Sequence, residues 1–245
     1  MINTIKPNWP APENIRAFST TRIGGKSTDI YSSFNLALHV DDNPKHVLEN
    51  RQLLARHLDL KQEPRWLSQT HSSIVLDADT ITNAPVADAS FTKTPGVVSV
   101  VLTGDCLPIL LCNQNGTEVA AIHAGWRGQA ADIIKATLMA MQSPASELIA
   151  WLGPAISQKV YQVGPEFKEQ FLQKNPENKE AFLTTDTGTY ADLYLLARIE
   201  LENLSVKSIY SDTFCTYTDE QRFYSARRDG IKTGRMATLI WITEN

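Results

Sequence analysis

Apolar residues along the chain fall into short continuous runs and helically spaced sets, separated by polar turns. "NPKHVLENRQLLARHL" spaces its apolar positions for a helix, with Asn43 as N-cap and Pro44 at the first helical position. "WLSQTHSSIVLDA" reads as one or two strands, and "GVVSVVLTGD" as a buried strand ending in a turn. "GQAADIIKATLMAMQ" predicts a helix and "ELIAWL" the strand after it. "GPEFKEQFLQK" and "YADLYLLARIELENL" predict two further helices, the second with apolar residues at i, i+3 and i+4. "VKSIYSD" and "RMATLIWIT" complete the strands. The polar stretch "RIGGKSTDIYSSFN", residues 22–35, is expected to be a long mobile loop, which is uncommon unless it covers or binds something. Hairpins mixed with helices predict an α+β fold, a mixed β-sheet sandwich with covering helices. No repeat and no linker rich in Pro, Gly or Ser divides the chain, so residues 1–245 are expected to form a single domain.

Composition narrows the classes. With 42% apolar and 20% charged residues the chain is ordinary globular material. A net charge of −4 leaves no basic footprint for nucleic acid, and no apolar run is long enough to span a membrane. The start "MINTIKPNWPAPENI" lacks both the charged and the apolar region of a signal peptide. Three cysteines without a C-x-x-C spacing argue against a secreted disulfide framework, so a cytoplasmic protein is expected. Nothing in the composition bears on oligomeric state.

The candidate chemistry lies in "TGDCLPILLCNQNGTEVAAIHAGWRG", residues 103–128. If "NQNG" is a four-residue turn, Cys112 pairs with Thr117 and Cys106 falls opposite His123 on the same face. Such a pair suits two ligands on one metal or a thiol bonded to an imidazole. A two-residue Asn115-Gly116 turn would oppose Cys106 to Gly125 instead, and Pro108 counts against a regular strand beside Cys106. The following "AGWRGQAAD" predicts a glycine-punctuated turn entering a helix, whose free N–H groups and Arg127 could hold an anion such as phosphate. His71, at an expected strand end among polar residues, is the best third ligand. His46 and His57 belong to the helix and are expected to be solvated, while His39 beside Asp41 and Asp42 ranks between.

In chain order, "STTRIGGKS", "SSFNLALHVDD", "VLENR", "TGDCLPILL", "HAGWRG", "LGPAI", "YQVG" and "CTYTDEQRFYSARRDGIKTGRMATLIW" resemble the YfiH-like, laccase-domain family. Its members have been called polyphenol oxidases and purine nucleoside phosphorylases. The resemblance implies a zinc bound by His71, Cys106 and His123. It also implies a four-layer sandwich similar to the catalytic domain of cytotoxic necrotizing toxins. The chain departs from the family pattern at Ser72 (usually Gly), Gly104 (usually Ala) and Ala226 (usually aromatic), none of them an expected ligand.

Two histidines and one thiolate leave a tetrahedral zinc with an open position, the mark of a catalytic site. The family's phosphorolysis of adenosine, inosine and methylthioadenosine needs a phosphate cradle, for which Arg22, Arg127 and Arg228 are candidates. Asn35 and Gln69 are candidate ribose or base partners. An adenosine deaminase side activity would need a carboxylate proton shuttle, with Asp105 as candidate. Two alternatives remain. Copper could occupy the same site and oxidise phenols, although five histidines are too few for a four-copper centre, which needs roughly ten. Cys106 and His123 could instead form a nucleophile–base pair in an amidase that edits cell-wall precursors.

Overall fold

A strand that is apolar on both faces must be covered on both. The computed structural model describes residues 1–244; Asn245, the last residue of the expected domain, lies outside the described residues. The first strands are β1 (Thr4–Ile5), β2 (Ile15–Thr20), β3 (Val75–Asp77), β4 (Ala89–Thr92), β5 (Ser99–Thr103), β6 (Leu107–Asn113) and β7 (Val119–Ala124). They are followed by β8 (Leu148–Leu152), β9 (Gln162–Val163), β10 (Phe182–Thr185), β11 (Gly188–Ala191), β12 (Ser208–Ser211) and β13 (Met236–Ile242). The α-helices are α1 (Pro44–His57), α2 (Trp126–Ala130), α3 (Ile133–Ala140), α4 (Pro165–Lys174), α5 (Leu193–Asn203) and α6 (Ala226–Asp229).

One sheet has the order β1-β2-β13-β5, and a larger one the order β12-β8-β6-β7-β4-β3. In the larger sheet β12–β8 and β3–β4 are parallel and the other pairs antiparallel, so the sheet is mixed. Alternation along β6 sorts its side chains. Leu110 and Cys112 pack with Ala17, Val101 and Ile240 of the smaller sheet. Ile109 and Leu111 pack on the opposite face with Ile133, Phe167 and Leu196 from α3, α4 and α5. Leu54 of α1 and Phe34 cover the other face of the smaller sheet at Val100, Leu239 and Trp241. The fold is α+β, with several sheets and a few helices. Among the described residues no helix is long and apolar enough to cross a membrane.

The expected α1 forms with its expected cap, Asn43 Oδ1 accepting from the Lys45 N–H at 3.0 Å. Several other expectations need correction. The helix expected over 128–142 breaks at Asp132, whose φ of 65° is left-handed. Lys174 holds that break through Asp132 Oδ1 and the Gln129 carbonyl, each at 2.7 Å. The helix expected from Tyr190 starts at Leu193, because Tyr190 and Ala191 pair with Leu183 and Phe182 across β10–β11. Apart from a 3-10 turn at Asp29–Tyr31, residues 22–35 are irregular but tethered. Asn50 of α1 accepts from the Lys26 N–H at 2.7 Å and donates to Ser27 Oγ at 3.0 Å and the Asn35 carbonyl at 2.8 Å.

The hairpin register also differs from the one first expected. Leu107 faces Ala124, Pro108 faces His123 and Cys112 faces Val119, the shift that the alternative turn implied. Asn113 decides it: its Oδ1 accepts from the N–H of Thr117 and Glu118, and its Nδ2 donates to Thr117 Oγ1. The loop is thereby closed as residues 114–117. Since the shift is two residues, the same faces still point together.

Candidate metal centre

Cys106 lies just before β6 in a bend over residues 104–106, where Asp105 takes a φ of 101°. His123 sits near the end of β7, nearly buried. His71 is not at a strand end: residues 69–74 are irregular, and His71 itself has a φ of 63°. Left-handed backbone in a residue other than glycine persists only where its surroundings impose it. Here the Asp88 carboxylate does so. It accepts from the N–H groups of Thr70, His71 and Ser72 at 3.2, 3.0 and 2.6 Å, and from Ser72 Oγ at 2.7 Å. The last of these bonds comes from the serine that departs from the family pattern.

The same carboxylate accepts from His123 Nδ1 at 2.8 Å, and the Asp88 carbonyl accepts from the His123 N–H at 2.7 Å. With Nδ1–H so engaged, Nε2 of His123 is left to act as a ligand. One fully buried carboxylate thus aims both imidazoles. Its place in "NAPVADASFT" gave no warning, because a single Asp in an apolar run has no spacing to interpret.

Ligand atoms of His71, Cys106 and His123 all lie within 4.8 Å of one another. Cys106 Sγ is 3.6 Å from His71 Nε2. Two ligands on a tetrahedral zinc, with bonds of about 2.3 Å to sulfur and about 2.0 Å to nitrogen, are separated by about 3.6 Å. The donor set therefore fits a zinc ion. Burial alone would raise the Cys106 thiol, but His123 and His71 outweigh it and hold the thiol down at about 6. Burial alone would lower His123, but the Cys106 thiolate and Asp88 push it up to about 9. Gly125 leaves the necessary space: a Cβ there would lie 2.5 Å from His71 Cδ2 and 3.1 Å from Cys106 Sγ.

An open groove of about 530 Å³ adjoins the cluster, lined by His71, Trp126, Arg127, Ala130, Gln170 and Gln173. Arg127 lies over the Trp126 ring at 4.4 Å, and Trp126 packs on Phe167 of α4. Helix α2 behind it has only five residues, so its dipole is small.

The remaining candidates have other work. Asp105 Oδ1 accepts from Thr216 Oγ1 at 2.6 Å, and Oδ2 from Ser225 Oγ at 3.0 Å and the Arg227 N–H at 2.7 Å. Both its oxygens are committed to joining loops, and neither is left free to face the cluster's ligand atoms. Gln69 clasps β5, donating to the Leu102 carbonyl and accepting from the Leu102 N–H. Asn35 is fully buried; it donates to Asp42 and the Ala37 carbonyl and accepts from the N–H groups of Ala37 and Arg235. Arg22 lies over the Tyr224 ring and donates to the carbonyls of Ser32 and Glu220. A guanidinium has five N–H donors, and Arg228 spends all of them on Asp229 and the carbonyls of Thr216, Tyr217 and Phe223. No donor of Arg228 remains for a substrate. His39 is close enough to Arg235, Arg51 and His123 for burial and their charges to lower it.

An α+β fold that brings two imidazoles and a thiol to one point beside an open groove defines a metal-competent, small-molecule site. The chain belongs to the family described as multi-copper polyphenol oxidoreductase laccase, whose family model matches residues 16–243. It is 44% identical over 246 residues to purine nucleoside phosphorylase YfiH of Escherichia coli, covering 99% of this chain and 100% of that one. It is also 44% identical over 242 residues to purine nucleoside phosphorylase PA4543 of Pseudomonas aeruginosa, covering 98% of each. Among solved structures, protein NMB0706 of Neisseria meningitidis superposes with a TM-score of 0.94 at 43% identity, over 99% of this chain and 100% of that one. YlmD of Geobacillus stearothermophilus gives a TM-score of 0.91 at 29% identity, over 98% and 96%.

Proposed function

We propose that the protein is a zinc-dependent purine nucleoside phosphorylase acting on adenosine and inosine, and on methylthioadenosine, as one domain in the cytoplasm. The observation that carries this reading is the convergence of His71, Cys106 and His123 beside an open groove, in a chain alignable end to end with proteins named for that activity. The likeness to a four-layer toxin-type sandwich belongs to the same reading. His71, Cys106 and His123 would hold the metal, which when bound supplies Lewis acidity and lowers the pKa of a coordinated water to about 7. Phosphate oxygen bonds to ribose C1′ as the C1′–N9 bond breaks. The bond pair leaves with the purine, which takes one proton from dihydrogen phosphate. Trp126 offers a flat apolar wall to the nucleoside and Arg127 a positive charge at the groove.

The adenosine deaminase side activity would need a carboxylate free to carry a proton, and the carboxylates of Asp88 and Asp105 are both fully engaged. Phosphorolysis is accordingly the main reaction of the proposal. Copper-dependent phenol oxidation remains an alternative at this same single site, since imidazole and thiolate also suit copper. A Cys-His amidase is the second reading, and the Asp88–His123–Cys106 arrangement favours it: an orienting carboxylate, a base and a thiol of low pKa.

The test is incubation of protein of measured metal content with adenosine or inosine, with and without phosphate, and chromatography of the products. Phosphate-dependent release of adenine or hypoxanthine together with ribose 1-phosphate is expected. If nucleosides survive and zinc-stripped protein hydrolyses amides until Cys106 is alkylated, the amidase reading replaces it.

A further inference from the structure

The basic block "RFYSARRDGIKTGR" contains four arginines, and three of them are spent on the protein itself. Arg222 pairs with Asp219, Arg227 lies over the Tyr161 ring and donates to the Gln162 carbonyl, and Arg228 is saturated. Arg235 differs. Its Nη1 donates to the carbonyls of Thr233 and Gly234, and its Nη2 to that of Ile231 at 2.7 Å. Among the described residues, Nε–H and the second Nη2–H meet no acceptor, and no carboxylate forms an ion pair with the guanidinium.

The position of this charge is set from two sides. Asn35 Oδ1 accepts from the Arg235 N–H at 3.0 Å, and the Arg235 carbonyl accepts from the Leu36 N–H. Gly104 lies against the Arg235 side chain. A Cβ on it would stand 3.1 Å from Arg235 Cδ and 3.5 Å from Nε. Gly104 opens the bend that carries Asp105 and Cys106, and these two are the negative groups that act on Arg235. The bend at Gly104 therefore sets the Arg235 side chain against the loop that carries Cys106. A half-buried guanidinium with directed donors to spare and no ion-pair partner among the described residues suits an anion.

We propose that Arg235, rather than Arg228, is the guanidinium that holds the phosphate co-substrate beside the His71–Cys106–His123 cluster. The identity of the ligand rests on the phosphorolysis reading; the anion site itself rests on Arg235. Fixed carbonyls on Nη1 and Nη2 hold the planar guanidinium in place and leave the fork of Nε–H and one Nη2–H for phosphate oxygens. An ammonium cannot reproduce that fork.

The experiment measures binding of radiolabelled inorganic phosphate to the zinc-loaded full chain by equilibrium dialysis, alongside phosphate and nucleoside KM. Arg235→Lys should weaken phosphate binding by about tenfold or more and raise phosphate KM in parallel. Zinc content and nucleoside KM should stay near wild type. Gly104→Val, which crowds Arg235 Cδ and Nε, should also weaken phosphate binding severalfold, and it decides the matter if Arg235→Lys does not fold. Unchanged phosphate binding in a folded, zinc-loaded Arg235→Lys overturns the proposal. So does loss that follows Arg127→Lys instead, or a wild-type protein that binds no phosphate. Phosphate binding that depends on Arg235 without any phosphorolysis supports the anion site and removes the function proposed above, so the two fail separately.

Discussion

Asp88 accepts five hydrogen bonds, and each fixes part of the geometry of His71 or His123. An amide in its place keeps the shape but offers one acceptor oxygen, and its NH₂ would confront backbone N–H donors. Asp88→Asn is expected to lower zinc affinity by about 10- to 100-fold in a chelator competition, the usual cost of losing a partner that orients a ligand. Undiminished affinity would mean that the cluster holds itself in place. The cysteines give a second expectation at this scale. Cys106 is held at about 6, whereas burial pushes Cys112 up to about 12. In zinc-stripped protein at pH 7.5, iodoacetamide should label Cys106 well ahead of Cys112, and added zinc should slow labelling of Cys106 selectively, as peptide mass spectrometry can follow. Equal labelling with and without zinc would remove Cys106 from the metal site.

Elements matter here chiefly through their ends. β7 delivers His123 and then turns into α2 at Gly125, whose φ of −64° is open to any residue. It is glycine for lack of space, not for backbone freedom. Gly125→Ala would drive a methyl into His71 and Cys106, so the variant is expected to keep native circular dichroism and lose stoichiometric zinc. Full zinc content in the folded variant would contradict this crowding. The elements themselves were unevenly legible. The first helix, with its Asn-Pro start, and the long apolar runs of β5, β6, β8 and β13 could be found from local pattern, because capping and burial on both faces leave a mark on neighbouring residues. The three-stranded β10-β11-β9 sheet and the loop around His71 could not. These strands are short and largely exposed, and the loop is shaped by a residue 17 positions away at Asp88.

For the whole molecule without metal, Cys106 and His123 titrate against each other. His123 is raised from its ordinary value, so its stabilisation is complete below about pH 6.5 and lost as pH rises through about 9. Cys106 is lowered, so its stabilisation is complete above about pH 9 and lost as pH falls through about 6. Between those limits the folded pair carries one proton, on the imidazole, and the unfolded pair one, on the thiol. The two contributions cancel. Urea midpoints of zinc-free protein should therefore be nearly level from about pH 7 to 8.5. A steep slope in the unaltered protein would show that the pair is not a thiolate and an imidazolium.

What the sequence determined by itself was a candidate donor set and the local elements that carry it. Cys106, His71 and His123 could be picked out because thiols and imidazoles are few and the hairpin pattern puts two of them on one face. The face survived even though the register was off by two, since side chains repeat every two residues. Tertiary structure alone decided which polar residues serve the site and which serve the fold. Asp88, Asp105, Arg228 and Arg235 are equally plausible in a string of letters. Their roles depend on which donors and acceptors arrive from positions up to 200 residues away, as with Asn35 and Arg235. A carboxylate or guanidinium is available to a ligand only after the fold has taken its share of hydrogen bonds, and that share is not written in local pattern.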